Sequence, residues 1–450
     1  MSRKIFILFF VTLIFPQGCK TYETSFSLPE PVPLVAEYPG TEVALPSHDS
    51  VRVPDTLRVT DALRLVLMNS PELSVYAWEV RAYESDVLQA SLMPNPEASL
   101  EMENFAGNRD FRGFGGSEIT VTAGLLIEVS GKRGKRTEVA RLSGELAGWD
   151  YRSVRLKVFT EATGAFYQVL TLQQQLERAV QMRFLAEELE KAVARRVEAG
   201  AMSPAEYSRA RIETGRAAME EQSYRYRLAA AKKRLASLWG EREPSFRGVK
   251  GVIMFNDTLP PLSDLGQRLM QNPALARMFT EKKLREAELE LQKAQGVPDP
   301  FVSAGYRRLQ EAGANAMVAG VAIPLPLFNR NQGAVKKASI RLQQVEEMQR
   351  SVQLSLWKEL ARQYGELQGV IFRAHSLRNT IIPQAEKSMQ VIREGYRQGR
   401  FTFLDVLDAQ RTLFRAYTEY LQDLADYRQN VSAIEMLTGQ PLFDDEAIWR

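Results

Sequence analysis

The chain has 450 residues, 45% of them apolar and 25% charged, with a net charge of +3. These are globular values and exclude wholesale disorder, and 58 basic residues balanced by 55 acidic ones exclude a typical nucleic-acid binder. A single cysteine excludes an internal disulfide framework, and two histidines, His48 and His375, leave little for a zinc site or for histidine-based catalysis. No apolar run reaches the roughly 18 residues of a spanning helix, whereas a β-barrel, whose hydropathy signal is weaker, stays open.

At the amino terminus, Arg3 and Lys4 precede an apolar stretch from Ile5 to Phe15, too short to span a bilayer. This reads as a signal peptide over residues 1–18. Gly18-Cys19 follows directly and resembles a bacterial lipoprotein processing site, which would leave Cys19 lipidated. Pro16 and Gln17 depart from the usual pattern, and a plain signal peptide with an incidental cysteine is the other reading. Lys20 is not the Asp that tends to retain such lipoproteins at the inner membrane. Residues 19–58 carry six prolines between Pro29 and Pro54 and read as an extended segment without a core of its own.

The remainder is a duplication, with repeats at 59–240 and 262–439, a linker at 241–261 and a tail at 440–450. Asn69-Ser70-Pro71-Glu72-Leu73 answers Gln271-Asn272-Pro273-Ala274-Leu275, and Met93-Pro94-Asn95-Pro96 answers Val297-Pro298-Asp299-Pro300. Gly200 and Gly399 stand 199 residues apart, as do Gly240 and Gly439. Each repeat opens with a helical pattern, about 61–92 and about 262–295, stopped by a Pro-x-Pro pair. The period then changes to two. Glu97 to Glu103 and Ile119 to Leu125 flank a Gly-rich loop, and Phe301 to Arg307 and Asn315 to Leu325 flank a shorter turn, which predicts two hairpins with one apolar and one polar face, the polar face weaker in the second, where Met317, Ala319, Val321 and Ile323 alternate with small residues.

A very long helix follows each hairpin. No proline occurs between Pro96 and Pro204, and residues 132–199 keep three- and four-residue apolar steps. Roughly 68 helical residues at about 1.5 Å each span about 100 Å, a length that indicates coiled-coil packing. The partner helix is expected to kink at Pro383. The first long helix reverses at Gly200, where Ser203 caps the next helix, Pro204 takes its first position and Glu206 completes a capping box. Gly399, Thr402 and Asp405 take the matching places in the second repeat.

Four strands of roughly ten residues cannot close a barrel, because known single-chain barrels start at about eight strands, and hydrocarbon does not tolerate open sheet edges. Membrane strands would therefore require several copies of the chain. With this layout, Met93-Pro94-Asn95-Pro96-Glu97, Glu103-Asn104-Phe105, Gly131-Lys132-Arg133 with Arg136, Ile323-Pro324-Leu325-Pro326-Leu327-Phe328-Asn329, and Glu394-Gly395-Tyr396 followed by Leu404-Asp405-Val406-Leu407-Asp408-Ala409, the sequence resembles the TolC-like outer-membrane efflux factors. It is most similar to their CzcC-like branch.

The resemblance implies a mixed membrane α/β fold: a homotrimer with a twelve-stranded β-barrel, four strands per chain, continued by a long antiparallel α-helical coiled-coil tube. It implies a passive export duct in the outer membrane that docks to a periplasmic adaptor protein and an inner-membrane RND-type pump, with heavy-metal cations as cargo. Drug efflux and type I secretion use ducts of the same fold. It also implies that Asp405 and Asp408, three residues apart on one helix face, line the periplasmic gate, where three-fold symmetry would gather six carboxylates and raise their pKa values. Arg209 is expected to pair with an aspartate of the other hairpin, and Tyr396 to help hold the gate closed; a solvated face with Asp405 only capping is the plainer reading. The tip residues Gly200, Met202, Ser203, Gly399, Arg400 and Phe401 are candidate adaptor contacts, with Met202 and Phe401 as exposed apolar anchors, although turn chemistry alone accounts for the Gly and Ser. Glu101 and Glu103 would form an acidic patch in the barrel lumen, or simply face water. The basic run from Lys132 to Arg136 reads as an interfacial collar and lacks P-loop spacing. No metal site, cofactor or nucleic-acid partner is expected. An enzyme is disfavoured for want of a nucleophile–base cluster, and a lipid-anchored periplasmic coiled-coil scaffold is the non-channel alternative.

Overall fold

A computed structural model describes residues 53–253 and 255–443. Cys19, the expected signal peptide, most of the proline-rich segment and most of the expected carboxyl-terminal tail lie outside the described residues. In chain order the elements are β1 (Thr56–Leu57), α1 (Val59–Asn69), α2 (Pro71–Ser91), β2 (Glu97–Glu103), β3 (Glu118–Leu126), α3 (Lys132–Glu198), α4 (Pro204–Ser237), β4 (Gly248–Val249), α5 (Leu262–Arg268), α6 (Pro273–Gln295), β5 (Phe301–Leu309), β6 (Ala314–Ala322), α7 (Gln332–Ser376), α8 (Ile382–Arg397) and α9 (Phe403–Thr438).

The opening helical stretch of each repeat is two helices, not one. Ser70 and Asn272 precede prolines and sit in extended backbone, at ψ 120° and 131°, because proline's ring crowds the helical conformation of the residue before it. Pro71 and Pro273 then start α2 and α6 at the first helical position, where a missing N–H costs nothing. The strand expected to reach Leu325 ends at Ala322, since Pro324 and Pro326 cannot donate to the ladder.

The four long strands form one antiparallel sheet in the order β2-β3-β5-β6, so β2 and β6 are its edges. Register sorts the side chains by chemistry along β2 and β3; on β5 and β6 Arg308 and Asn315 share the apolar face at its loop end, and Ala316 and Val318 lie on the other. One face carries Ser99, Glu101 and Glu103 opposite Thr122, Thr120 and Glu118, with Gly305 and Arg307 continuing the rows on β5. The other face carries Leu100 and Met102 opposite Val121 and Ile119, then Tyr306, Met317 and Val321. Leu100, Met317 and Val321 are 72%, 80% and 67% exposed. An apolar patch of this extent on a protein surface marks a face that is covered in use. Where β3 and β5 meet, the chains coil closely: a Cβ at Gly305 would lie 2.2 Å from the Val121 carbonyl oxygen.

Each strand is continued by one helix, and the helices α2-α3-α6-α7 pack side by side in the same order as the strands. The 67-residue α3 is the spine, packed successively on α2, α6, α4 and α9. Its partner is interrupted: a π-helical segment, Leu377–Ile381, separates α7 from α8 just before Pro383, because proline's missing N–H and the clash of its ring with the preceding turn break the regular ladder.

Two matching cores lie midway along the helices. In the first, Leu63 and Val66 of α1 pack on Phe166 and Val169 of α3 and on Leu235 of α4. In the second, Leu265 of α5 packs on Leu360 and Leu367 of α7 and on Tyr427 and Ile434 of α9. The repeat boundaries at 58 and 241–261 cut through these units. β1 and β4 pair in parallel, and Leu57, Phe246 and Val249 are buried in the first core. Leu442 and Phe443, assigned to the tail, close the second core over Tyr427. Single apolar residues in proline-rich segments carry no periodicity, so the sequence has no local signal for this layer.

Candidate functional site

At one end of the helices, α3 turns into α4 and α8 into α9. Both turns have the same chemistry. Gly200 and Gly399 adopt φ of 72° and 75°, a left-handed conformation open to glycine. The next residue then bonds back across the helix end, Ala201 N to Arg196 O at 2.8 Å and Arg400 N to Gly395 O at 2.7 Å. The starts of α4 and α9 differ. Thr402 and Asp405 form a reciprocal capping box. On α4, Ser203 accepts from the Ala205 N–H, and the expected capping box with Glu206 is absent. Glu206 instead pairs with Arg209 at 3.1 Å, and its second carboxylate oxygen is buried without a hydrogen-bond partner. Arg209 is thus held by its own helix, not by an aspartate of the other hairpin, because an i,i+3 carboxylate is nearer than any across the turn.

The tip residues enclose a small core of Val193, Ala210, Tyr396, Phe403, Val406 and Leu407. Tyr396 is buried in it, with Arg196 over its ring at 4.7 Å and its hydroxyl without a partner. Met202 packs against this core and is half-buried. Phe401 is 37% exposed and lies on Gly395, where a Cβ would stand 2.3 Å from its ring. Phe401 is thus exposed as its place in the turn suggests, with part of its ring resting on the helix end, whereas Met202 is folded back against the core. Ser203 and Arg400 are exposed.

Asp408 is exposed and Asp405 half-buried on α9. Within one chain Asp405 is shifted by its own cap, whereas the rise expected of a six-carboxylate ring concerns the trimer. The Thr402 hydroxyl, then the Thr402 N–H, hold its carboxyl below the usual carboxylate range. The ion pair that does join the two hairpins is Arg411 of α9 with Glu213 of α4, with Asp408 adding to the negative field at Arg411. These positions stand 198 residues apart, one short of the repeat offset. Opposite charges at near-equivalent repeat positions are the signal that could have found the pair.

At the other end, Lys132, Lys135 and Arg136 of the basic run are tied to neighbouring elements, while Arg133 is exposed. Lys132 is paired with Asp299 of the second repeat at 2.7 Å and donates to the Val297 carbonyl at 2.5 Å. Asp299 also accepts from the Val129 N–H at 2.9 Å. Arg136 binds Glu128 and the carbonyls of Ala90 and Leu92, and Lys135 reaches Glu290. These cations fasten strand–helix junctions that leave carbonyls and carboxylates facing one another, which takes precedence over an outward collar. On the polar face of the sheet Glu103 is 3.8 Å from Arg307, which also pairs with Glu118 at 3.1 Å, while Glu101 is exposed opposite Thr120. His375 is exposed, 3.7 Å from Asp257. Among the described residues no group of three or more His, Cys, Asp or Glu is placed to hold a metal ion, and no helix is long and apolar enough to cross a membrane.

A sheet with an exposed apolar face, two of whose strands run into long helices that reverse at capped tips, is the layout of a TolC-like channel protein. The chain belongs to the outer membrane efflux protein family, whose model matches residues 62–241 and 265–440, and it is a protein of the outer membrane. It is 32% identical over 387 residues to the cobalt-zinc-cadmium resistance protein CzcC of Cupriavidus metallidurans, covering 85% of this chain and 90% of that one. It is 24% identical to the nickel-cobalt-cadmium resistance protein NccC of Alcaligenes xylosoxydans xylosoxydans, over 67% of this chain and 68% of the relative. Its fold is similar to the crystal structure of CusC, with a TM-score of 0.73 at 17% identity over 87% of this chain and 96% of that one.

Proposed function

We propose that three copies of this chain close into a twelve-stranded barrel mounted on an α-helical tube, and that this homotrimer is the passive exit duct of a tripartite efflux system. Its partners are a periplasmic adaptor and an inner-membrane RND-type pump, and its cargo is heavy-metal cations. The observation that carries the reading is the four-stranded sheet with open edges at β2 and β6 and a largely apolar exposed face, broken only by Arg308 and Asn315 at its loop end. Hydrocarbon is suited to that face and cannot accommodate those edges, so each edge is paired by the next copy, and closed cyclic symmetry does this for every edge at once. The metal-resistance names of CzcC and NccC support the cargo.

Cys19 anchors the amino terminus to outer-membrane lipid. Glu101 and Glu103 face the barrel lumen. At the periplasmic end, Asp405 and Asp408 of three copies form the acidic ring of the gate, on a tip core that Tyr396 helps to hold together. Around them Gly200, Met202, Ser203, Gly399, Arg400 and Phe401 present the two turns to the adaptor. In the trimer, repulsion among six carboxylates opposes the capping bonds that depress Asp405 in a single chain.

The test is direct. Outer-membrane fractions run unheated and boiled should show a heat-modifiable trimer, and the purified protein should form cation-preferring pores in planar bilayers. D405A/D408A should lower the cation preference. Loss of the gene with its pump should sensitise cells to divalent metals. A stable detergent-soluble monomer without pore activity would refute the duct and leave the scaffold reading; pores with unchanged metal tolerance would refute the cargo alone.

A further inference from the structure

A recess of about 920 Å³ lies midway along the helices, floored by α3 and α9 and walled by α4 on one side and by the α7–π junction on the other. It is on the opposite side of the molecule from the β1–β4 layer. On α3, Phe166 and Leu170 lie against Gly251 and Gln173 bonds Val249, whereas Gln168, Leu172 and Gln175 line the recess. At about 3.6 residues per turn these two sets point in opposite directions.

The charges in the recess are unevenly matched. Asp423 is buried and accepts twice from Arg373, at 3.0 and 2.8 Å, so that pair is internally neutralised. Arg227 and Arg234, seven residues apart and therefore on one face of α4, have no carboxylate within ion-pair distance among the described residues. Arg227 lies over the Tyr224 ring at 5.6 Å and feels Glu220 at longer range, and Arg234 makes a long 3.4 Å bond to Gln168. Across the recess Phe372 is 74% exposed. Glu419 is the opposing carboxylate and is exposed.

We propose that this recess is a binding site for an anionic amphiphile, a flat aromatic body carrying a carboxylate or sulfonate. A volume of this size suits a small organic molecule. Either guanidinium fork on the α4 wall can take a planar or trigonal oxyanion bidentately, and Phe372, with Leu172 on the floor, supplies an aromatic and apolar bed for the rest. A cation finds only Glu419, because Asp423 is already taken. The site stands on the single chain; its consequence for transport, obstruction of the duct from three equivalent positions, rests on the function proposed above.

Calorimetry on the purified full-length protein, with detergent-only controls, compares 2-naphthalenesulfonate, neutral 2-naphthol and cationic 2-naphthylmethylammonium. The sulfonate should bind once per chain, about tenfold or more tighter than the neutral probe, as a charge-assisted bidentate contact requires. R227Q/R234Q should reduce its affinity to that of naphthol. E419Q should raise it a few fold, and high salt should weaken it. Equal affinities for the three probes, or unchanged sulfonate binding in R227Q/R234Q, overturn the site. If that variant does not fold, E419Q decides: no gain in sulfonate affinity overturns it equally. In planar bilayers the bound sulfonate should lower the conductance. Binding without block leaves the site standing and counts against this face lining a duct.

Discussion

The Lys132–Asp299 pair is a largely buried ion pair between the two repeats. It joins the start of α3 to the Pro-Asp-Pro turn before β5, and its side chains are only 10% and 16% exposed. Burial alone would push the Asp299 carboxyl up. The Lys132 ammonium and the Val129 N–H outweigh it, and the net position is below the usual carboxylate range. Converting Asp299→Asn keeps an oxygen for Val129 but leaves a buried ammonium with the Val297 carbonyl as its remaining partner. Breaking a buried pair from one side costs about 3–5 kcal/mol, and the residual exposure puts this site near 3. K132M should cost about 2 kcal/mol. The K132M/D299N double variant should cost clearly less than the sum, with a coupling of about 1–3 kcal/mol. The exposed Arg362–Glu359 pair is the internal control, and E359Q should cost less than about 1 kcal/mol. Thermal denaturation of the detergent-purified protein, followed by circular dichroism at one scan rate, ranks the variants. The pH dependence has a defined sign. A depressed carboxyl stabilises above its unfolded value, about pH 4, and that contribution disappears as pH falls through the lower native value. If D299N melts with E359Q, or the double variant is additive, the junction is not held by this pair.

The other predictions concern the tip and the sheet. G395A should displace Phe401, whose ring occupies the site of the new Cβ, costing about 1–3 kcal/mol; F401A in the same chain should relieve most of it, and equal melting of G395A and wild type would reject the contact. R411A should speed proteolysis at the Gly200 and Gly399 turns by up to about fivefold, as loss of a surface pair worth at most about 1 kcal/mol allows, and the charge swap E213R/R411E should restore protection. D405A should fray the start of α9, whereas D405N keeps an acceptor for Thr402. Because Thr402 depresses the Asp405 carboxyl, wild-type protease protection should persist above about pH 4 and fall only as the pH drops below the ordinary aspartate value; protection equal in D405A and wild type would contradict the cap. G305A should abolish assembly, since the Val121 and Thr122 backbone cannot yield to a Cβ, and normal yields of trimer would contradict the close coiling there.

The parts of this protein that were legible in its sequence are those determined by neighbours along the chain. Period-two runs define strands with unlike faces, the Pro-x-Pro pairs stop helices, proline-free tracts run as helix, and Gly200 and Gly399 reverse them, because each signal acts within a turn or two of backbone. What tertiary structure alone decided is which distant groups meet. Lys132 turns inward because Asp299, from the other repeat, stands where an outward collar would leave it unsatisfied. Arg209 stays with Glu206 while Arg411 makes the bridge to Glu213. Leu57, Phe246 and Val249 enter a core from segments with no periodic pattern, and Phe401 folds onto Gly395. Each of these choices follows from burial and charge compensation between residues brought together by packing, a balance that no local spacing encodes.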